Sequence, residues 1–194
     1  MIGKNPSAFA KTSIFPDCRD RVLGLDTSRF PVEMVAWNDC QEFIMVLQKR
    51  VGNHAERQFG KPGHFRLPHE DEWEYACRGG KGNKQAYYWG DVLNGTKANC
   101  NGTRPYGTQE QGPLLGRPSE VGSYEIIAPH PFGLCDMSGN VSQWCDNLCN
   151  DNERVYRGGA YPFAAFGCRS SSRSPCKPDI ALFWFGFRIC YVPD

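Results

Sequence analysis

The feature that most constrains this sequence is how early its helical periodicity ends. Apolar residues recur at helical spacing in two segments, VAWNDCQEFIMVLQKR at 35–50 and LPHEDEWEYACRGG at 67–80. Beyond Gly80, short apolar pieces alternate with Gly, Asn and Pro, and the chain holds 21 Gly and 14 Pro. This pattern is typical of short strands joined by long ordered loops. The sequence therefore predicts few helices and an irregular second half.

The ends of the two helices can be predicted from local signals. Asn38 is placed to cap the first helix, with Gln41 completing a capping box, and the polar segment 51–64 predicts a surface loop. In the second helix, acidic residues occupy the first turn at 70–72 and Gly79 follows the last turn.

The last part of the chain predicts two strands separated by a long connection. Residues 154–160 and 186–192 alternate with period two, and 161–185 lie between them. A connection this long inside a compact domain is usually functional or hides an element. With no internal repeat and no linker, residues 1–194 are expected to form a single domain.

Composition excludes several classes of function. The chain has 22 Lys and Arg against 21 Asp and Glu, with no basic stripe, so we expect no nucleic-acid partner. The longest apolar run, Ile180–Phe187, is far shorter than the ~20 residues of a spanning helix, so we expect no membrane insertion. The N-terminus shows no secretory signal, which leaves localisation unknown.

The ten cysteines are spread along the chain and do not form a metal-binding pattern. Neither Cys-x-x-Cys nor His-x-x-x-His spacing occurs, and the pair Cys145 and Cys149 is a weak signal on its own. The cysteines are therefore predicted to be mainly small buried hydrophobic residues, with one or two disulfides left open.

Several ordered motifs resemble one family. The stretches HFRLPHEDEWEYACRGG, YYWGD, ANCNG, EVGSY, PHPFGLCDMSGNVSQWCDN, RVYRGGAY, CRSSSR and GFR are similar, in this order, to formylglycine-generating-enzyme-like domains, from Gly3 to Val192. The resemblance implies an α+β, C-type-lectin-like fold with few helices, small antiparallel sheets and extensive ordered loops. Family domains usually begin before the KNPSAF-like motif, so it also implies that the N-terminal edge is missing or supplied otherwise.

The resemblance does not extend to the family's catalytic residues. Enzymes of this family hold copper with two cysteines, five residues apart, between a GGSY-like turn and a CRxxxR-like motif, and thiolates suit Cu(I). The equivalent segment here, 161–167, has no cysteine; Cys168 belongs to CRSSSR and Cys176 lies in the next loop. The four His show no iron-triad grouping. The chain is therefore predicted not to be an enzyme.

The family often binds calcium at a GNVWEW-like segment, which reads GNVSQW at 139–144 in this chain. Asn140 is kept, but Gln143 replaces the acidic residue and removes a charge that a calcium site relies on. No cofactor is predicted. Calcium binding near Asn140 stays open as an alternative, which the replacement by Gln143 weakens.

One branch of the family resembles the chain further, namely the variable proteins of diversity-generating retroelements. In these proteins fixed positions alternate with positions diversified through adenine-directed mutagenesis. Residues 158–188 match the fixed positions, here called the framework: Gly158, Gly159, 168–171, Arg173, Pro178, Asp179 and 186–188. We call 158–188 the candidate variable segment. Trp184 and Lys177 do not follow from an asparagine codon by adenine changes alone, so their template codon differs or they are not diversified.

The leading hypothesis is a non-catalytic protein that binds an unknown protein or other macromolecular surface through this segment. The residues predicted to contact the ligand are Tyr161, Phe163, Phe166, Ser172, Ser174, Pro175, Lys177, Ile180, Leu182, Phe183 and Trp184. Among them Phe163, Phe166, Leu182, Phe183 and Trp184 are predicted to form an exposed apolar patch. Phe185, Phe187 and Ile189 are predicted to be core residues.

Two alternatives remain at this stage. One is a copper oxidase of the formylglycine-generating type, and the other is an accessory interaction domain of a larger assembly. Proteins of the variable branch are often displayed at a cell or phage surface, so display of that kind is suspected here. The sequence gives no oligomeric state.

Overall fold

The computed structural model describes Gly3 and residues 5–194. Met1, Ile2 and Lys4, the first residue of the KNPSAF motif, lie outside the described residues. The described part contains three α-helices, one 3₁₀ helix (Ala165–Cys168) and six strands. They are α1 (Pro16–Asp20), α2 (Trp37–Phe59), α3 (Glu70–Cys77), β1 (Gly63–Arg66), β2 (Ser142–Asn150), β3 (Glu153–Arg157), β4 (Arg173–Cys176), β5 (Phe185–Phe187) and β6 (Cys190–Pro193). This is the predicted α+β architecture.

The strands form two small sheets. β1 and β6 make an antiparallel pair, and the other sheet has the order β4-β3-β2-β5. Its strands are antiparallel except for β5, which runs parallel to β2 with Ser142 opposite Phe185. A parallel neighbour requires a long connection between the two strands, and β3, β4 and the loops around them provide it.

Helix α2 is longer than predicted. The expected loop at 51–64 is wrong, because the helix continues to Phe59 and ends at Gly60, whose φ of 73° suits glycine. Ala55 is buried and extends the apolar stripe. The predicted cap at Asn38 is also wrong: the Asp39 carboxylate accepts the backbone N–H of Ala36 at 2.8 Å.

Helix α3 matches its prediction. It spans Glu70–Cys77, its N-cap His69 donates its backbone N–H to Glu72 at 2.8 Å, and Gly79 follows with a φ of 70°. Arg66 and Glu72 form a two-pronged ion pair in which both N–O distances are 2.7 Å. The Arg66 guanidinium lowers the pKa of the Glu72 carboxyl to about 2.

The predicted last strand is split between the two sheets. Phe185–Phe187 joins the larger sheet, where Phe185 is 1% exposed as predicted, and Cys190–Pro193 pairs with β1. Phe187 and Ile189 are half-buried, and both pack against the core cluster around Trp144. The connection at 161–185 contains the 3₁₀ helix and β4, so it is not a structureless loop.

All ten cysteines are free thiols, and Cys18, Cys40, Cys77, Cys100, Cys145 and Cys168 are buried. Most of them therefore act as small core residues, as predicted. Among the described residues, no helix is long and apolar enough to cross a membrane.

Candidate ligand-binding site

The candidate variable segment begins with a turn that only glycine can make. Gly158 and Gly159 have φ angles of 89° and 65°. A Cβ atom on Gly159 would lie 2.6 Å from the Gly167 carbonyl oxygen and 2.7 Å from the Cys168 sulfur. Strand β3 therefore ends at Arg157, and the backbone of the segment packs directly against the Gly159 backbone.

Two arginines attach the segment to helix α3. Arg157, with a side chain 3% exposed, lies 2.7 Å from the Glu74 carboxylate and 3.4 Å from the Glu70 carboxylate, and it donates to the Ser172 carbonyl oxygen at 3.1 Å. Arg173 donates both Nε and Nη2 to Glu70, at 2.7 and 2.8 Å. The hydrogen bonds from Arg173 lower the pKa of Glu70, so the two arginines and the two glutamates form a fixed, ionised network.

Arg169, the other framework arginine, contacts an aromatic ring and not helix α3. Its Nε donates to the Phe166 carbonyl oxygen at 2.9 Å, and its guanidinium lies 3.6 Å from the centre of the Phe166 ring. It therefore lies over an exposed aromatic ring and does not pair with a carboxylate within the described part of the chain.

The predicted ligand-contacting residues fall into three groups by exposure. Phe166 is 57% exposed, and Pro175, Lys177 and Ile180 are also exposed. A second group is half-buried: Phe163, Ser172, Ser174, Leu182, Phe183 and Trp184. Tyr161 is buried. The exposed group defines the outer surface of the segment.

Tyr161 requires a correction, because only 5% of its surface is exposed. Its ring packs edge-on against Phe9 at 5.5 Å, within the N-terminal cluster of Ala8, Phe9, Cys18, Val22 and Tyr161. Burial raises the pKa of its hydroxyl. The structure therefore places Tyr161 in the core, where it supports the segment from behind.

The predicted exposure of Phe183 and Trp184 is also corrected. The ring centre of Phe183 lies 5.3 Å from that of Phe15, in edge-on contact, and the ring centre of Trp184 lies 5.8 Å from that of Phe163. The backbone fixes Trp184, since the Ser142 N–H donates to its carbonyl oxygen at 2.7 Å. Each ring is only partly accessible to a ligand, and Phe163 and Leu182 are likewise partly covered.

A cavity of about 300 Å³ opens between the 3₁₀ helix and strands β3 and β4. Four residues that are predicted to contact the ligand, Phe163, Phe166, Ser172 and Ser174, line it together with Arg157, Arg169 and Arg173. The sequence prediction of the ligand-contacting residues did not include these arginines. Their interleaving with serines in RSSSR was the available signal for a polar cavity.

The GNVSQW segment does not fit a calcium ion. The Asn140 side-chain oxygen accepts the Ser119 N–H at 3.0 Å, and the Gln143 side-chain oxygen accepts from Trp73 at 2.8 Å and Arg188 at 3.1 Å. A guanidinium therefore already approaches the oxygen that would face a cation. Within the described residues, no group of three His, Cys, Asp or Glu side chains could hold a metal ion. That the protein needs no cofactor stays a prediction.

The cysteine nearest the family's copper segment is poorly suited to bind a metal. Cys168 is fully buried, and its Sγ donates to the carbonyl oxygens of Ala160 and Ala164 at 4.0 and 3.9 Å. The neighbouring Cys100 thiol and burial raise the pKa of Cys168, which keeps its thiol protonated. Cys176 lies on β4 and is half-buried; burial raises its pKa as well.

Comparison with solved structures identifies the fold. Treponema denticola variable protein 1 superimposes with a TM-score of 0.64 and 21% identity, covering 96% of this chain and 77% of that protein. At this level of identity the likeness establishes a shared fold.

Sequence comparison identifies the family. A formylglycine-generating enzyme of Streptomyces coelicolor is 34% identical over 189 residues, which cover 84% of this chain and 53% of the enzyme. An inactive Cα-formylglycine-generating enzyme 2 of Bos taurus is 31% identical over 170 residues, covering 82% of this chain and 49% of that protein. The chain thus spans about half the length of these relatives. The model of the sulfatase-modifying factor enzyme 1-like domain matches residues 15–191, and the chain belongs to this family.

Proposed function

We propose that this protein is a non-catalytic binding protein whose ligand surface is the candidate variable segment, 158–188. The observation that carries the proposal is that two kinds of residue, one held by specific contacts and one exposed, occur within this segment. Framework residues such as Gly159 and Arg173 make specific packing and ion-pair contacts, whereas Lys177 and Ile180 project from the surface. Side chains of the second kind can change without disturbing the contacts of the first.

The proposal includes diversification by a retroelement. It is supported by the spacing of the framework in the sequence and by the fold that the chain shares with a protein described as variable. The ligand would be a protein or another macromolecular surface. The binding protein itself would be displayed at a cell or phage surface. Neither nucleic acid nor membrane insertion belongs to the proposal, because the chain has nearly balanced charge.

A second candidate function is copper-dependent formation of formylglycine on a polypeptide cysteine, and the 34% identity to an enzyme of that name favours it. The chemistry of the segment weighs against it, because 161–167 contain no cysteine and the Cys168 thiol is buried. Incubation with Cu(I), oxygen and a cysteine peptide separates the two candidates. A mass change of the peptide would establish the enzyme and refute the non-catalytic proposal.

The surface itself is tested by truncating aromatic residues within the same segment. We expect Phe183→Ala and Trp184→Ala to lower the free energy of unfolding by less than about 2 kcal/mol each, because part of each ring is already in water. Phe185→Ala is the matched control; its ring is fully buried, so a loss of about 3–5 kcal/mol is expected. Equal losses at all three positions would show that Phe183 and Trp184 are core residues and would remove them from the surface.

The diversification is tested in the DNA that flanks the coding sequence. The proposal expects a reverse-transcriptase gene and a near-copy of codons 158–188 that differs from them at adenines of the copy. A near-copy that differs at all four bases alike, or the lack of any copy beside a complete gene, would refute diversification by this route.

A further inference from the structure

The cavity between the 3₁₀ helix and strands β3 and β4 differs from the rest of the candidate site because its wall is charged. Its volume of about 300 Å³ is at the lower end for ligand pockets, enough for one side chain or a chain terminus. The guanidinium groups of Arg157, Arg169 and Arg173 lie in the wall, together with the rings of Phe163 and Phe166.

Two of the three guanidinium groups are already paired with carboxylates of the protein. Arg173 makes a two-pronged ion pair with Glu70, and Arg157 lies 2.7 Å from Glu74 and 3.4 Å from Glu70. Arg169 has no carboxylate within ion-pair distance in the described part of the chain. The wall therefore offers one uncompensated positive charge.

Arg169 is held in place while its terminal nitrogen atoms stay free. Its Nε donates to the Phe166 carbonyl oxygen, and its guanidinium lies 3.6 Å from the centre of the Phe166 ring and 5.4 Å from the centre of the Tyr106 ring. Among the described residues, neither Nη atom of Arg169 has an acceptor. Arg157 adds a buried Nε without a hydrogen-bond partner, which is a costly state for a donor.

We propose that this cavity binds a single carboxylate of a polypeptide ligand, with Arg169 as the charged contact and Phe166 packing against the ligand's apolar stem. The inference rests on the proposed function, since it names the chemistry that the same surface recognises. A carboxylate matches one free guanidinium in charge and in two-pronged geometry. A phosphate dianion would require a second uncompensated cation, which the wall does not offer.

The carboxylate can come from an acidic side chain or from a chain terminus, and four probes separate these sources. They are acetyl-Gly-Glu-Gly-amide, the matched neutral acetyl-Gly-Gln-Gly-amide, acetyl-Gly-Gly-Gly with a free carboxyl terminus, and inorganic phosphate. Each is titrated into the full chain labelled with ¹⁵N-arginine, and the Nε–H resonances of Arg169 and Arg157 are followed by NMR. We expect at least one carboxylate peptide to shift both resonances and to bind about tenfold or more tightly than the glutamine peptide.

Variants test whether Arg169 carries the effect. Arg169→Gln is expected to weaken the carboxylate peptide about tenfold, whereas Arg50→Gln, the same change at an exposed position of α2, leaves its affinity unchanged. If Arg169→Gln does not fold, the salt dependence of the unmodified chain replaces it, and affinity for the carboxylate peptide must fall as salt rises.

Three results would overturn the inference: neither carboxylate peptide binding more tightly than the glutamine peptide, binding that is insensitive to Arg169 and to salt, or phosphate bound more tightly than either carboxylate. A macromolecular ligand that depends on Phe166 and Ile180 but not on Arg169 would also overturn it. That last result would leave the proposed binding function standing, so the two failures are distinguishable.

Discussion

Glu33 is a buried carboxyl group that links the N-terminal part of the chain to the core. It is 0% exposed; one of its oxygens accepts the backbone N–H of Phe9 at 2.9 Å, and the other has no partner among the described residues. Burial raises the pKa of the Glu33 carboxyl from 4.5 to about 7, although the N–H groups of Phe9 and Ala8 oppose the shift. We expect this carboxyl to make the stability of the protein depend on pH.

The direction of this dependence follows from the two pKa values. In the unfolded chain the carboxyl ionises near pH 4.5, whereas in the folded chain it keeps its proton until about pH 7. Unfolding therefore releases a proton between these values, so the free energy of unfolding falls as pH rises through this window and levels off above it. The contribution of Glu33 to stability is complete below pH 4.5 and lost above pH 7.

The substitution Glu33→Gln removes the ionisation and keeps the shape of the side chain. Since one pKa unit corresponds to about 1.4 kcal/mol, the full shift is worth about 3 kcal/mol, of which about 2.5 kcal/mol falls between pH 5 and pH 8. Urea unfolding of both proteins at these two pH values is the assay. The free energy of unfolding of the variant minus that of the unmodified protein should rise by about 2.5 kcal/mol, because groups common to both proteins cancel.

Glu42→Gln is the control, since Glu42 is exposed on α2. Its difference from the unmodified protein should stay constant with pH. If the Glu33→Gln difference were equally flat, the burial argument would be refuted. Glu33 would then be ionised in the folded chain, with its second oxygen satisfied by water or by a compensating cation.

Two further predictions concern the contacts that support the site. Arg157→Gln should lower the free energy of unfolding by about 3 kcal/mol, because it leaves Glu70 and Glu74 with less compensation in a buried place; urea unfolding measures this loss, and Arg50→Gln should cost less than about 0.5 kcal/mol. Added calcium should leave the melting temperature unchanged, because Gln143 is already bonded to Trp73 and Arg188, and a saturable rise with calcium would contradict that assignment of the GNVSQW segment.

Local signals predicted α3 well because everything that defines its ends lies within the helix and its flanks. They failed for α2, whose second half carries Gly52 and several polar residues. That half is stabilised by a distant part of the chain: the Phe59 ring stacks on the Tyr191 ring of β6, with ring centres 4.8 Å apart, and Ala55 is buried. A contact between a helix and the last strand of the chain has no periodicity in the sequence.

The candidate site was also predictable only in part. Motif order located the segment, and the exposure of Phe166 and Ile180 agrees with it. The burial of Tyr161 and the partial burial of Phe183 could not be read from the segment, because the rings that cover them, Phe9 and Phe15, lie at the other end of the chain. Sequence pattern identifies the positions between framework residues but not what packs behind them.

Trp184 and Lys177, the two residues that do not follow from asparagine codons, also differ in how they pack. Trp184 packs against Phe163 and against the core clusters around Trp144 and Phe9, so replacing its side chain would remove contacts with both clusters. Lys177 is exposed, although its carbonyl oxygen accepts the Ile180 N–H in a turn that any side chain permits. The two exceptions therefore have different physical causes.

These causes predict different template codons. Position 184 should be fixed, with tryptophan encoded in both the gene and its near-copy, because its half-buried ring packs against two core clusters. Position 177 should read as an adenine-rich lysine codon in the near-copy, because adenine-directed changes leave every adenine of the gene opposite an adenine of the copy; its exposed side chain leaves it open to diversification. Comparison of the two DNA copies tests both statements: an adenine-rich codon opposite Trp184, or a codon without adenines opposite Lys177, would refute the link between burial and diversification.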